Sequence, residues 1–138
     1  MKAPSGIRVR FRVDFSRGCS IGVGKIELLE AIGRTGSISK AAREIGMSYR
    51  RAWLLIEDMK VNLDAAVVAA STGGVHGGGT SLTPFGRQMI ERYRQLESEF
   101  QQLAKTRLGD LSAHVNGGAG WPTMSAVSMK RKLRAARG

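Results

Sequence analysis

From residue 7 the chain alternates. Ile7, Val9, Phe11, Val13 and Phe15 fall on one side, with Arg8, Arg10, Arg12 and Asp14 on the other. A period of two predicts a half-buried strand over 7–15, and its outer arginines either touch phosphate or solvate a sheet edge. Ser16 to Gly24 reads as a turn-rich connector. The period then lengthens: from Lys25, Ile26, Leu28, Leu29 and Ile32 recur at helical spacing, and Gly33 is placed as the C-cap. Ser37 is placed as the N-cap of a short helix carrying Ile38, Ala41, Ala42 and Ile45 on one face, and Gly46 ends it. Ser48 opens a third helix with Ala52, Trp53, Ile56 and Met59 as its apolar stripe. Ala65 to Ala70 reads as a short strand, Ser71 to Gly79 as a glycine-rich loop, and Thr80 to Leu82 as a strand pairing back. Thr83-Pro84 starts the last helix, which runs to about Leu108. In it Met89, Tyr93, Leu96, Phe100 and Leu103 follow a coiled-coil seam spacing.

The segment Ser37 to Asp58 fits a helix-turn-helix. Two helices that cross near a right angle need small residues at the contact, which Ala41 and Ala42 supply. The tight turn favours a glycine with positive φ, and Gly46 sits there. Met47 can plug the gap between the helices. Ser48 then leaves the N-terminal end of the second helix facing outward, where backbone N–H groups and the helix dipole suit a phosphate. Its first turn presents Tyr49, Arg50 and Arg51. Arginine at that place can contact guanine O6 and N7 bidentately, and tyrosine can donate to phosphate or pack on a thymine methyl. A plain helical hairpin with a solvated basic face is the other reading. The hairpin after this helix reads as the wing of a winged helix, with Gly74, His76 and Gly77 as its expected DNA contacts, since glycines let the backbone approach phosphate; a plain flexible linker is the alternative. The expected fold is therefore mostly α with a small β-sheet: a winged helix-turn-helix with a long C-terminal dimerisation helix.

Composition agrees with this. The 138 residues are 42% hydrophobic, enough for one core, and carry 22 Lys+Arg against 11 Asp+Glu, a formal charge of +11. That excess favours a polyanionic partner. No apolar run approaches the roughly 18 residues of a spanning helix, and no export signal is evident, so a cytoplasmic protein without a membrane role is expected. The single cysteine, Cys19, excludes an internal disulfide. The expected domains are 1–112, the DNA-binding part with its dimerisation helix, and 113–138, a basic tail expected to lack order.

Other chemistry is not supported. Gly18 to Lys25 imitates a phosphate-binding loop, but Cys19 stands where the motif needs glycine and Ile26 where it needs Ser or Thr. His76 and His114 lack partners at metal-ligand spacing, and Cys19 has no histidine near it. No acid–base constellation appears, so no enzyme is expected.

Three blocks carry a resemblance: Gly36-Ser37-Ile38-Ser39, Met47-Ser48-Tyr49-Arg50-Arg51-Ala52-Trp53, and Ser71-Thr72-Gly73-Gly74 with Gly77-Gly78-Gly79. Together with Leu82-Thr83 and Gly86, the chain over roughly 25–103 resembles the N-terminal DNA-binding domain of molybdate-responsive (ModE-type) regulators, distantly allied to LysR-type domains. The resemblance implies a bacterial winged helix that dimerises, binds a palindromic operator and regulates transcription. Family members that sense molybdate carry further C-terminal modules, for which some thirty residues after Leu108 leave no room; molybdate is not expected to bind this chain, and no cofactor is expected.

The expected mechanism follows. Two copies pair through Met89, Tyr93, Leu96, Phe100 and Leu103, aided by Leu108 and Leu111, and bind double-stranded DNA as a homodimer at inverted half-sites. Residues near Phe85 pack on their own domain and those beyond Tyr93 face the partner; wholly internal packing of the stripe is the alternative. The N-terminal strand either pairs across the dimer or extends the wing sheet. Tyr49, Arg50 and Arg51 read bases, while Ser37, Ser39, Lys40 and Ser48 hold phosphates. A sequence-independent architectural protein and a protein-interaction adaptor are the rival readings.

Overall fold

The computed structural model describes residues 6–71 and 79–116. Strands β1 (Arg12–Asp14) and β2 (Ser20–Gly22) lead into helices α1 (Val23–Thr35), α2 (Ile38–Glu44) and α3 (Tyr49–Asn62). Strands β3 (Val68–Ser71) and β4 (Gly79–Leu82) precede the long helix α4 (Pro84–Leu108), and a 3-10 turn follows over Gly109–His114. The chain divides into two compact units, Phe11–Arg94 and the flanking segments, whose described parts are 6–10 and 95–116.

The first unit is built on α1. Its Ile26, Leu28, Leu29, Ala31 and Ile32 are fully buried because α2, α3 and α4 supply walls on several sides. Ala41 and Ala42 of α2 and Ala52 of α3 let the backbones approach, and Ile56 and Met59 of α3, Val67, and Met89 and Tyr93 of α4 fill the rest. Truncating one large member, as in Leu29→Ala, removes about 2–5 kcal/mol.

The N-terminal expectation is corrected. Strand structure covers only Arg12–Asp14, and it pairs antiparallel with β2, with Val13 opposite Ile21. Within the chain its partner is thus β2 and not the wing sheet; among the described residues there are two separate two-stranded sheets instead of one. The expected connector at 16–24 instead holds a 3-10 turn at Ser16–Gly18, then β2 and the start of α1. The turn is tight enough to put Arg17 and Gly18 at φ 69° and 83°. Phe15 donates its N–H to Cys19 O at 2.7 Å, and Cys19 takes the buried place while Phe15 stays exposed.

Two cap and stripe assignments also change. Gly33 lies inside α1, which continues to Thr35; Gly36, at φ 71°, ends it by donating to Ile32 O at 2.8 Å. Gly33 is small for another reason: a Cβ there would stand 2.9 Å from Leu82 Cδ1. On α3 the buried residues are Ala52, Ile56 and Met59, and Trp53 is 46% exposed. Adjacent residues point about 100° apart on a helix, so Ala52 and Trp53 cannot both face one core.

The second hairpin follows the expectation more closely, although β3 begins at Val68 instead of Ala65. It is antiparallel, with Val68 opposite Leu82 and Ser71 opposite Gly79. Thr83 caps α4: its Oγ1 accepts from Gly86 N at 3.0 Å and donates to Ala66 O at 2.6 Å. Arg94 fixes α4 to α1 through both oxygens of Glu30, at 2.5 and 3.1 Å. Phe11 stacks on Tyr93 with centroids 4.6 Å apart, and the Tyr93 hydroxyl donates to Phe11 O at 2.9 Å.

In the second unit, Gln101 replaces the strand ladder expected at residues 7–9. Its Oε1 accepts from Val9 N at 2.9 Å and its Nε2 donates to Ile7 O at 2.7 Å. Buried or half-buried backbone groups need such partners, and one side-chain amide satisfies two of them.

Candidate nucleic-acid interface

The interface is assembled at the junction of α2 and α3. Ser37 Oγ accepts from Lys40 N at 3.2 Å and Ser48 Oγ accepts from Arg51 N at 3.1 Å, so each short polar side chain ends one helix with an N-cap. Between them Gly46 takes φ 69° and Met47 donates to Ala42 O at 2.8 Å. Met47 packs half-buried against the core, as the gap-filling role requires. Arg34, in the last turn of α1, reaches Glu44 of α2 at 2.5 and 2.8 Å. This pair is exposed, so it orients more than it stabilises.

The result is an outward-facing helix end. Ser48, Tyr49, Arg50 and Arg51 are exposed on α3; on α2, Ser39 and Lys40 are exposed and Ser37 is half-buried. All seven belong to the same compact unit, between the α1–α2 turn and the first turn of α3. Gly74, His76 and Gly77 lie outside the described residues. The wing strands flanking them are in place, however. Thr80 N donates to Gly36 O at 2.8 Å, which fastens β4 to the turn that precedes α2. That approach depends on Gly79, where a Cβ would stand 2.5 Å from Gly36 O.

The residues assigned to dimerisation divide by burial. Met89 and Tyr93 are buried in the core of the first unit, and Leu96 is half-buried. Phe100 and Leu103 are 37% and 51% exposed, and Leu108 and Leu111 beyond them 49% and 53%.

Two residues that shape the site were not expected. Lys25, only 7% exposed, donates to Ser20 O at 2.6 Å and pairs with Asp58 of α3. Asp58 is held in turn by Asn62 Nδ2 at 3.0 Å. The cluster ties the start of α1 and the start of β2 to the second half of α3, and so fixes the direction in which the exposed end of α3 points. Lys25 is thereby committed to a carboxylate, which disposes of the residual likeness to a phosphate loop. The available signal was a lysine at the edge of an otherwise apolar helical stripe; its partner, 33 residues away, has no local signature.

Similarity to known proteins bears on the same elements. Residues 23–87 match the family described as bacterial regulatory helix-turn-helix protein, lysR family. The chain is 39% identical over 128 residues to the molybdenum transport protein ModE of Azotobacter vinelandii, covering 91% of this chain and 47% of that protein. It is 48% identical over 86 residues to the molybdenum-pterin-binding protein MopB of Rhodobacter capsulatus, covering 62% and 32%. To the DNA-binding transcriptional dual regulator ModE of Escherichia coli K12 it is 40% identical over 86 residues, again 62% and 32%. The chain thus spans about a third to a half of the length of these relatives. Residues 23–87, from the start of α1 to the first turn of α4, are therefore a bacterial regulatory helix-turn-helix domain of the lysR family, in a chain related to the ModE and MopB proteins.

Proposed function

We propose that this protein is a sequence-specific transcriptional regulator that binds double-stranded DNA in the cytoplasm as a homodimer, on an operator connected with molybdenum metabolism. One observation carries the reading: the capped N-terminus of α3 stands exposed, with Tyr49, Arg50 and Arg51 on its first turn. A free helix end brings N–H groups and positive dipole to a phosphate, and two arginines there reach guanine edges in a major groove. Tyr49, Arg50 and Arg51 read bases; Ser37, Ser39, Lys40 and Ser48 hold phosphates, and Gly74, His76 and Gly77 are assigned to the wing contact. The molybdenum connection rests on the relatives named for molybdenum transport and molybdenum-pterin binding. The paired surface is drawn from Phe100, Leu103, Leu108 and Leu111, the exposed apolar residues of α4 and the turn after it. No cofactor is assigned to the chain, molybdate included, and no catalytic residue.

Selection from random duplex DNA, with sequencing of the bound fraction, tests this directly. An inverted repeat with half-site centres about 34 Å apart, roughly one helical turn, is the expected product. Arg51→Ala then weakens the selected site by about 1–3 kcal/mol. Binding without enrichment would mean an architectural protein, and absence of binding at low salt would mean that the helix-turn-helix serves a protein partner.

A further inference from the structure

Trp53 and Leu54 are adjacent large apolar residues on α3, and they are 46% and 48% exposed. Single exposed apolar side chains are ordinary, but two neighbours on the face that carries Arg50 are not. At about 100° per residue, Leu54 points some 170° away from the buried row Ala52, Ile56 and Met59, and Trp53 about 95° away. In projection Trp53 falls between Tyr49 and Arg50, and Leu54 between Arg50 and Arg51. The two therefore form a second row, interleaved with the first and set back by about 5 Å along the axis. The third turn brings the half-buried acids Glu57 and Asp58, of which Asp58 is held by Lys25.

We propose that Trp53, supported by Leu54, is a specificity-determining residue that reads a thymine through its C5 methyl group. The proposal rests on the DNA-binding role of α3 given above. The occupant follows from position: the apolar row continues the basic row of Tyr49, Arg50 and Arg51, so a ligand polyanionic enough to engage the arginines must also present an apolar feature beside them. In a duplex major groove that feature is the thymine methyl. A set-back of about 5 Å against a rise of about 3.4 Å per base pair places this thymine one or two base pairs from the base read by Arg50.

The test uses the half-site recovered by selection, with each thymine replaced in turn by deoxyuridine, which removes the methyl and nothing else. The wild-type chain is expected to lose about fourfold in affinity at one position, the worth of one buried methyl. The loss should vanish with Trp53→Ala and persist with Trp53→Phe, while affinity for unrelated duplex stays unchanged in both variants. Since Trp53 lies outside the core, circular dichroism and melting of both variants should match the wild type. A flat deoxyuridine scan, or a loss of equal size in Trp53→Ala, overturns the proposal and leaves the regulator reading intact. A chain that selects no sequence overturns both. Weakened self-association in Trp53→Ala, with an unaltered scan, would assign the row to contact between copies instead.

Discussion

Ser48 joins two jobs at one residue. Its hydroxyl caps the start of α3 by accepting from Arg51 N, and it stands exposed beside the residues assigned to DNA. Ser48→Ala should destabilise the domain by about 1 kcal/mol, read as a shift of the urea midpoint at constant m-value. Ser48→Asp keeps a capping oxygen, so its stability should stay near wild type, yet its negative charge faces the phosphate and should weaken DNA binding. Loss of stability in both variants, or of binding in neither, would contradict that division. Gly86 is a residue with one job. A Cβ there would lie 2.2 Å from Val67 O, a backbone atom fixed by its bond from Thr83 N. Gly86→Ala should therefore cost about 3 kcal/mol in denaturant unfolding, the upper end of overpacking. The two serine caps were legible in the sequence because capping is local chemistry. The reason for Gly86 was not, since the atom it must avoid belongs to a different element.

Between elements, the cluster of Lys25, Ser20 and Asp58 holds the start of α1 against α3. Asp58→Ala would leave the Lys25 ammonium nearly buried with only a carbonyl for company. A destabilisation of about 2–3 kcal/mol is expected, below the value for a fully buried pair because Asp58 is itself 42% exposed. Lys25→Met with Asp58→Ala should recover part of it, and a double-mutant cycle in urea checks the coupling. The wing is positioned by a shorter device, the bond from Thr80 N to Gly36 O. Gly79→Ala should push β4 away from the α1–α2 turn and reduce specific DNA affinity while α1, α2 and α3 stay folded, which titration and circular dichroism distinguish. Helix periods and hairpin order were readable along the chain, but each of these ties pairs residues far apart in sequence.

For the molecule as a whole, net charge and the proposed pairing of two copies bear on behaviour that no single helix shows. With a formal charge of +11, affinity for duplex should fall steeply with salt, by a log–log slope of about −0.9 for each phosphate engaged. Lys40→Ala should make that slope shallower by about one and weaken all sequences alike. The proposed self-association draws on the surface beyond Tyr93. Leu103→Asp should shift sedimentation toward the monomer and abolish preference for an inverted repeat over a single half-site. An unchanged sedimentation coefficient would remove Leu103 from the contact.

What the sequence determined by itself was whatever is local or periodic: the three helices of the helix-turn-helix, the serine caps, Gly46 at the turn, the hairpin and the start of α4. These follow from backbone sterics, capping and the 3.6-residue period, which act within a few neighbours. Tertiary structure decided where those local rules were ambiguous. Alternation over 7–15 predicted a strand, but its partner was β2 at one end and the Gln101 amide at the other. A stripe containing both Ala52 and Trp53 can be resolved only when α1 and α2 take one side of α3 and leave the other to solvent. In the seam of α4, Met89 and Tyr93 went to the core because Phe11 and α1 were there to receive them. Sequence spacing fixes which residues share a face, and packing chooses which face is covered.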